Sequence, residues 1–280
     1  MNSIALTDHG VMFGAIDFYK ACKANGVKPI IGCEVYVAPR GRKDKEPKID
    51  EKYNHLILLA KNNDGYKNLA KLVSLGFTEG FYYKPRIDKE ILEKYHDGLI
   101  CLSACLAGEV SQAILNNNIE EAKKVALWFK NLFGEDYYLE VQNNGIKEQV
   151  LVNQKLVELS RELEIPLVAT NDAHYLKRED AYNHEVLLCI QTGKRMNDED
   201  RMRFDTEELY VKSPEEMIDY FKNIPDAVEN TVKIAEKCNV EFEFGHTILP
   251  NYDVPEQYAT HYDYLEKLTV DGLTKRYGEE

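Results

Sequence analysis

Leu167-Val168-Ala169-Thr170-Asn171-Asp172-Ala173-His174 decides how the chain is read. Four residues that suit a pleated strand run straight into an aspartate and a histidine one residue apart. Side chains two positions apart on an extended segment face the same way. A carboxylate and an imidazole so placed are two metal-ligand types pointing at one spot.

Working outward, the arrangement recurs. His9 follows the strand expected over Ile4-Ala5-Leu6-Thr7, Glu34 lies in the strand expected from Pro29 to Val37, and Cys105 follows the one from Leu99 to Ser103. His55 differs, because it begins its apolar run, His55 to Ala60. Either that strand is placed differently or the histidine reaches in from a loop. Between these strands lie helical patterns: Ala15, Phe18 and Cys22 share a face before Gly26 offers a left-handed stop, and helices are expected over 65–75, near Glu109, and over 119–133, 147–163 and 178–191. Tyr137 to Gln142 is a further strand. Strands alternating with long helices predict βαβ units and a parallel sheet. In a closed α/β barrel the working residues project from the carboxyl ends of the strands, where these six side chains would converge.

The chain has 280 residues, enough for one large α/β core and a small appendage. Its 35 Lys and Arg against 48 Asp and Glu leave a net charge of −13, so it should not grip nucleic acid strongly by itself. The six cysteines show no C-x-x-C spacing and read as reduced, and the placement as cytoplasmic. The longest uncharged stretch, Leu99 to Gly108, is far too short for a membrane helix, and no secretion signal is visible at the amino end. Ala38 to Lys48 is almost free of apolar residues and reads as a solvated loop or hairpin. Ser213-Pro214-Glu215-Glu216 is a capping-box helix start, with further helices expected over 225–238 and 262–277. Nucleotide-cradling glycine loops and the serine-hydrolase elbow are absent from the sequence.

Each candidate also has a duller role. Asp-His-Gly around His9 is an ordinary turn, His55 alone would be a core or surface histidine, and Cys105 a small buried hydrophobe or a thiolate nucleophile at a helix amino end. Glu34 would be costly to bury without a cation. Asp8 either orients an imidazole or caps a turn. His96, His184, His246 and His261 read as turn, helix-surface and connector residues.

Thr7-Asp8-His9-Gly10, Gly32-Cys33-Glu34-Val35-Tyr36, Asn54-His55-Leu56, Leu102 to Glu109 and Asn171-Asp172-Ala173-His174-Tyr175 resemble successive motifs of the PHP (polymerase and histidinol phosphatase) domain, in the version carried by bacterial replicative polymerases. The likeness continues through Lys212 to Met217, Ile224 to Thr231 and Leu249-Pro250 into the bridge toward the polymerase palm. The resemblance implies a distorted α/β barrel of the (β/α)7 kind with a helical carboxyl-terminal extension: a metal-binding barrel over 1–195, then barrel completion and connector over 196–280. It implies His9, Glu34, His55, Cys105, Asp172 and His174 as metal ligands, with His9, Glu34, Asp172 and His174 in the catalytic part. It also implies a cluster of up to three divalent ions, Zn2+ or Mn2+ with iron as a further choice, and a phosphoesterase or 3′–5′ exonuclease activity. The opening His-x-His motif is absent, so a first strand-helix unit of on the order of 30 residues is expected to be missing. A poorer metal complement and weaker hydrolysis are expected with it. DNA, the sliding clamp and a proofreading subunit are partners the resemblance implies through a parent polymerase. A catalytically silent scaffold and a free-standing histidinol-phosphatase-like enzyme are the alternatives.

Overall fold

Short apolar runs and amphipathic segments take turns along the chain, and in the computed structural model each becomes a strand or a helix. Residues 1–247 and 249–278 are described. They fall into two compact units, Met1–Glu241 and Phe242–Glu280. Ile248, Glu279 and Glu280, which the connector expected over 196–280 includes, lie outside the described residues.

The first unit runs β1 (Ser3–Leu6), α1 (Ala15–Ala24), β2 (Lys28–Val37), β3 (Asn54–Ala60), α2 (Asn63–Thr78), β4 (Phe81–Tyr82), β5 (Lys84–Ile87), α3 (Lys89–Tyr95), β6 (Leu99–Leu102), α4 (Glu109–Leu115), α5 (Ile119–Phe133), β7 (Tyr137–Gln142), α6 (Lys147–Leu163), β8 (Leu167–Thr170), α7 (Ala181–Thr192), α8 (Pro214–Tyr220) and α9 (Pro225–Lys237). The helix starts are chemically marked. Asn62, Asp88 and Asn118 each accept a hydrogen bond from the backbone N–H three residues on. Ser213 and Glu216 close the reciprocal pair expected from the sequence, at 3.2 and 2.8 Å. Gly26 takes the left-handed φ of +68° that ends α1.

The eight strands form one curled sheet in the order β4-β5-β2-β3-β6-β7-β8, with β1 beside the first half of β2. The fold is the expected α/β distorted barrel, with one correction to the all-parallel sheet. β3 pairs antiparallel with both β2 and β6, and β4 with β5 at the edge. The first residues of β3 therefore lie at the same end as the last residues of its neighbours, and Tyr36 stands opposite His55. That inversion resolves the misfit of His55.

Strand side chains alternate between two faces, and the two faces bury different cores. Cys33, Val35, Val37, Leu56, Leu58, Leu139 and Val141 pack outward against the helices. Ile30, Ile57, Leu59, Ile100, Leu102, Tyr138 and Val168 fill the concave side, where Ile234, Ala235 and Cys238 of and just after α9 close it. Fully buried leucines such as Leu58, Leu69 and Leu72 each contribute about 2 kcal/mol of apolar transfer. By the same alternation Glu34, His55 and Glu140 share the concave face with these aliphatics, one level nearer the rim.

The segment between β2 and β3 is largely the exposed loop expected over Ala38 to Lys48, with Pro39, Arg40 and Lys43 to Lys48 exposed, but it is anchored at two points. Arg42 and Asp50 are buried rather than solvated. Arg40 bonds Asp50 through Nε at 3.0 Å and Nη2 at 2.5 Å, while Arg42 meets Asp88, Glu79 and Glu90. The wholly buried Arg86 donates to the carbonyls of Gly80, Asp50, Arg42 and Asp44 at 2.6 to 3.1 Å. A polar composition thus folds into a pinned loop because a buried guanidinium satisfies its backbone.

The second unit holds α10 (His261–Tyr277), opened by a Thr260–Asp263 capping box and without a buried residue. Tyr252 and Tyr258 pack against Tyr264 in the first turn of α10, with ring centroids 5.9 and 4.9 Å away.

Candidate metal centre

Three strands deliver the first three donors. Past the end of β1, Glu34 N–H donates to the Asp8 carbonyl at 3.1 Å and Gly10 N–H to the Glu34 carbonyl at 2.9 Å, so His9 is bridged in parallel register to Glu34. Asp8 serves here through its main chain. Gly10 sits at φ +68°, and a Cβ there would lie 2.8 Å from the Tyr36 ring. His55 is anchored by its N–H to the Ala107 carbonyl at 3.0 Å. The tight turn carrying Cys105 holds Ala104 at φ +62° and brings Gly108 so close to Ser103 that a Cβ would lie 2.1 Å from the Ser103 carbonyl oxygen. Non-glycine residues held at positive φ concentrate where a fold fixes functional side chains.

The donors converge. One ligand atom each of His9, Glu34 and His55 lies within 4.8 Å of the others. Nδ1 of His9 is 3.0 Å from Glu34 Oε1, and Nδ1 of His55 contacts the same oxygen. Oε1 is nonetheless buried without a hydrogen bond. Both ring nitrogens crowd the same carboxylate oxygen. Cys105 Sγ lies 3.5 Å from His55 Nδ1. The His174 ring lies 6.2 Å from that of His9. Asp172, at φ +52°, precedes it and acts electrostatically on both His9 and His55. All six residues singled out in the sequence therefore stand at one end of the curled sheet.

His174 is presented by a segment that sequence periodicity did not mark. Its N–H donates to the Leu209 carbonyl at 2.8 Å, Tyr175 bridges Tyr210, and Asn171 donates to the Tyr210 carbonyl at 2.6 Å. His174 Nδ1 lies 3.0 Å from the Asp172 carbonyl. A carbonyl only accepts, so that nitrogen carries the proton and Nε2 keeps its lone pair for a ligand.

Charge in the cluster is strongly biased. Burial opposes ionisation of Glu34, but the two imidazoles outweigh it and hold the carboxyl at about 2. The Glu34 carboxylate beside His9 raises its pKa against burial. Burial raises Asp172, with His174 pulling the other way. Burial, then Glu34 and Asp172, push the Cys105 thiol far up. A thiol so placed stays protonated without a cation, the reverse of what a free nucleophile needs. Two imidazoles, a buried carboxylate oxygen without a hydrogen bond and a thiol that only a cation would ionise fit a divalent metal of the zinc or manganese kind.

Two participants escaped sequence reasoning. Glu140 on β7 faces the concave side, with one oxygen held by Thr170 at 2.5 Å and the other buried without a partner. Burial, abetted by Glu34 and Asp172, raises it to about 7. The signal was present in Tyr138, Glu140 and Gln142, a polar set alternating with Tyr137, Leu139 and Val141. His184, expected on a helix surface, instead packs its ring 5.4 Å from that of His174. At the mouth, Lys84 Nζ stands 5.4 Å above the Tyr36 ring and depresses the basicity of His9.

The PHP domain family matches residues 1–144. The chain is 53% identical over 279 residues to the DNA polymerase III subunit alpha of Borreliella burgdorferi, covering 99% of this chain and 24% of that protein. It is 47% identical over 277 residues to the subunit of the same name from Treponema pallidum, at 98% and 24% coverage, and 45% identical over 286 residues to that of Thermus aquaticus, at 98% and 23%. The chain spans about a quarter of the length of these relatives.

Proposed function

Because this chain belongs to the PHP domain family, we propose that His9, Glu34, His55, Cys105, Asp172 and His174 hold divalent cations and hydrolyse phosphodiesters, as a 3′–5′ exonuclease site. The observation that carries this is the meeting of His9, Glu34 and His55 around a buried carboxylate oxygen that accepts no hydrogen bond. Bound there, Zn2+ or Mn2+ supplies Lewis acidity toward phosphoryl oxygens and a water acidified enough to attack. The residues do the rest. Glu34 stays ionised through the whole neutral range and draws the cations to the rim. Asp172 and His174 stand beside His9, with His174 oriented by the Asp172 carbonyl. Lys84 stands near His9 as an ammonium group suited to a phosphate.

The relatives are DNA polymerase III alpha subunits, so we place the chain in DNA replication, with nucleotide addition residing in other parts of such a subunit. DNA, a sliding clamp and a proofreading subunit are then partners of that larger protein. The cytoplasm is its compartment, and among the described residues no helix is long and apolar enough to cross a membrane. Residues 1–195 serve as the metal-binding barrel and 196–280 as its completion and connector.

The test is direct. Mn2+ or Zn2+ uptake by the chain is measured by equilibrium dialysis, together with nucleotide release from the 3′ end of a labelled oligonucleotide. Glu34→Gln and His55→Ala should each lower both. Uptake unchanged in the double variant refutes the site, and uptake without nucleotide release in the unaltered chain leaves a scaffold.

A further inference from the structure

Beside the cluster lies a cleft of about 550 Å³ to which the proposed hydrolysis assigns no role. Tyr175, Tyr182, His184 and Phe204 supply its aromatic lining. The ring of His184 stacks on Phe204 at 5.8 Å and tilts against Tyr175 at 5.5 Å. Tyr182 leaves most of its side chain exposed at the edge. His174 links the cleft lining to the cluster, because its ring lies 5.4 Å from both His184 and Phe204 and 6.2 Å from His9.

The charges around the cleft say what would enter it. Among the described lining residues the cation is Arg178, and it is committed to Glu208 at 2.6 Å and to the face of Tyr210. Glu185 is held by Arg201 at 3.0 Å, while Asp205 and Glu207 lie exposed on the rim. Aromatic walls with a surplus of carboxylates disfavour a phosphate and favour a flat, neutral ring carrying N–H donors. Its volume falls in the range of about 300–1,000 Å³ usual for small-ligand pockets.

We propose that this cleft is the base subsite of the phosphoesterase: the base of the terminal nucleotide stacks against Phe204 and Tyr182 while its phosphodiester reaches His9, Glu34 and His55 across His174. The inference rests on the phosphodiester reading above and adds where the substrate's base is held. Bases bearing an exocyclic amine suit the rim carboxylates best.

The experiment compares deoxyadenosine monophosphate with deoxyribose 5-phosphate, which has the sugar and phosphate but no base, binding to the chain in calorimetric titrations. Mn2+ uptake is measured in parallel. The nucleotide should bind about tenfold more tightly or better, within the gain expected from stacking one base. Tyr182→Ala, at an exposed position that should leave folding intact, should shrink that preference severalfold with Mn2+ uptake unchanged, and Phe204→Ala should shrink it as well. Equal binding of the two ligands, or a preference that survives both substitutions, overturns the base subsite. Absence of Mn2+ uptake in the unaltered chain strikes the metal reading instead, since the ligand preference is read without metal.

Discussion

Replacing Gly108 with alanine is the sharpest test of how the centre is held. The new Cβ would lie 2.1 Å from the Ser103 carbonyl oxygen, against the 3.4 Å at which ordinary contact begins, so something must move by 3.4 − 2.1 = 1.3 Å. Ser103 resists, being buried, with its N–H on the Tyr138 carbonyl at 3.0 Å and its hydroxyl accepting from Glu140 N–H at 2.8 Å. The loop from Cys105 to Gly108 must yield. It then strains the Gly108 N–H to Cys105 carbonyl bond, the Gln112 N–H to Gly108 carbonyl bond that opens α4, and the neighbouring bond from His55 N–H to Ala107. Two or three such bonds at about 1 kcal/mol each give a loss of about 2–3 kcal/mol. At about 2–4 °C per kcal/mol for a protein of this size, the melting temperature should fall by about 5–10 °C. Metal affinity should fall by about tenfold or more, since Cys105 and His55 lose their support. Thermal unfolding followed by circular dichroism, with and without Mn2+, and equilibrium dialysis read both effects. A variant that melts within about 2 °C of the parent and binds Mn2+ equally well would show that the loop accommodates the methyl group, refuting the steric argument.

Two further outcomes follow from buried charge. Arg86→Leu orphans the carbonyls of Asp50, Arg42 and Asp44 and strips one donor from that of Gly80, at about 1–3 kcal/mol per orphaned group before relaxation, so urea unfolding should show a loss of about 4 kcal/mol or more. Arg86→Lys should recover little of it, because an ammonium cannot span groups on separate segments; a loss under about 1 kcal/mol for the leucine variant would contradict the role. For Glu140, burial raises the folded-state pKa from 4.5 to about 7, so as pH climbs the unfolded chain releases this proton first and metal-free stability falls across that interval. The difference is worth about 3 kcal/mol. Glu140→Gln should flatten the fall between about pH 5 and pH 8 in urea titrations, and an unchanged slope would mean the carboxyl is already ionised in the fold.

The sequence made the clustering of the candidate residues legible for a physical reason. A histidine, acid or thiol at the edge of an apolar strand has few places to point, and six such residues share one rim once the strands are paired. Helix boundaries were equally readable where local chemistry sets them, as at Ser213 and Glu216 or over Ile119–Phe133. Strand direction was not, because the alternation in His55 to Ala60 assigns faces but carries no sign of whether its neighbours run with it or against it. The order of the Ala38–Lys48 segment was hidden as well. Its anchor, Arg86, bonds main-chain oxygens, which every residue possesses and no side-chain pattern announces. Glu140 looked like a strand residue because the neighbours that raise its pKa, Glu34 and Asp172, are remote in sequence.

The reversed course of β3 has an architectural corollary. The chain climbs one staircase, crosses the landing and descends the next, so the residues between Val37 and Asn54 never leave the storey on which the cations are expected to gather. This parapet is bolted through the floor, because Arg86 grips the carbonyls of Arg42, Asp44 and Asp50. Exchanging its outward side chains, such as Lys45 and Pro47, should therefore alter who reaches the doorway, while a change in its length should loosen the masonry beneath.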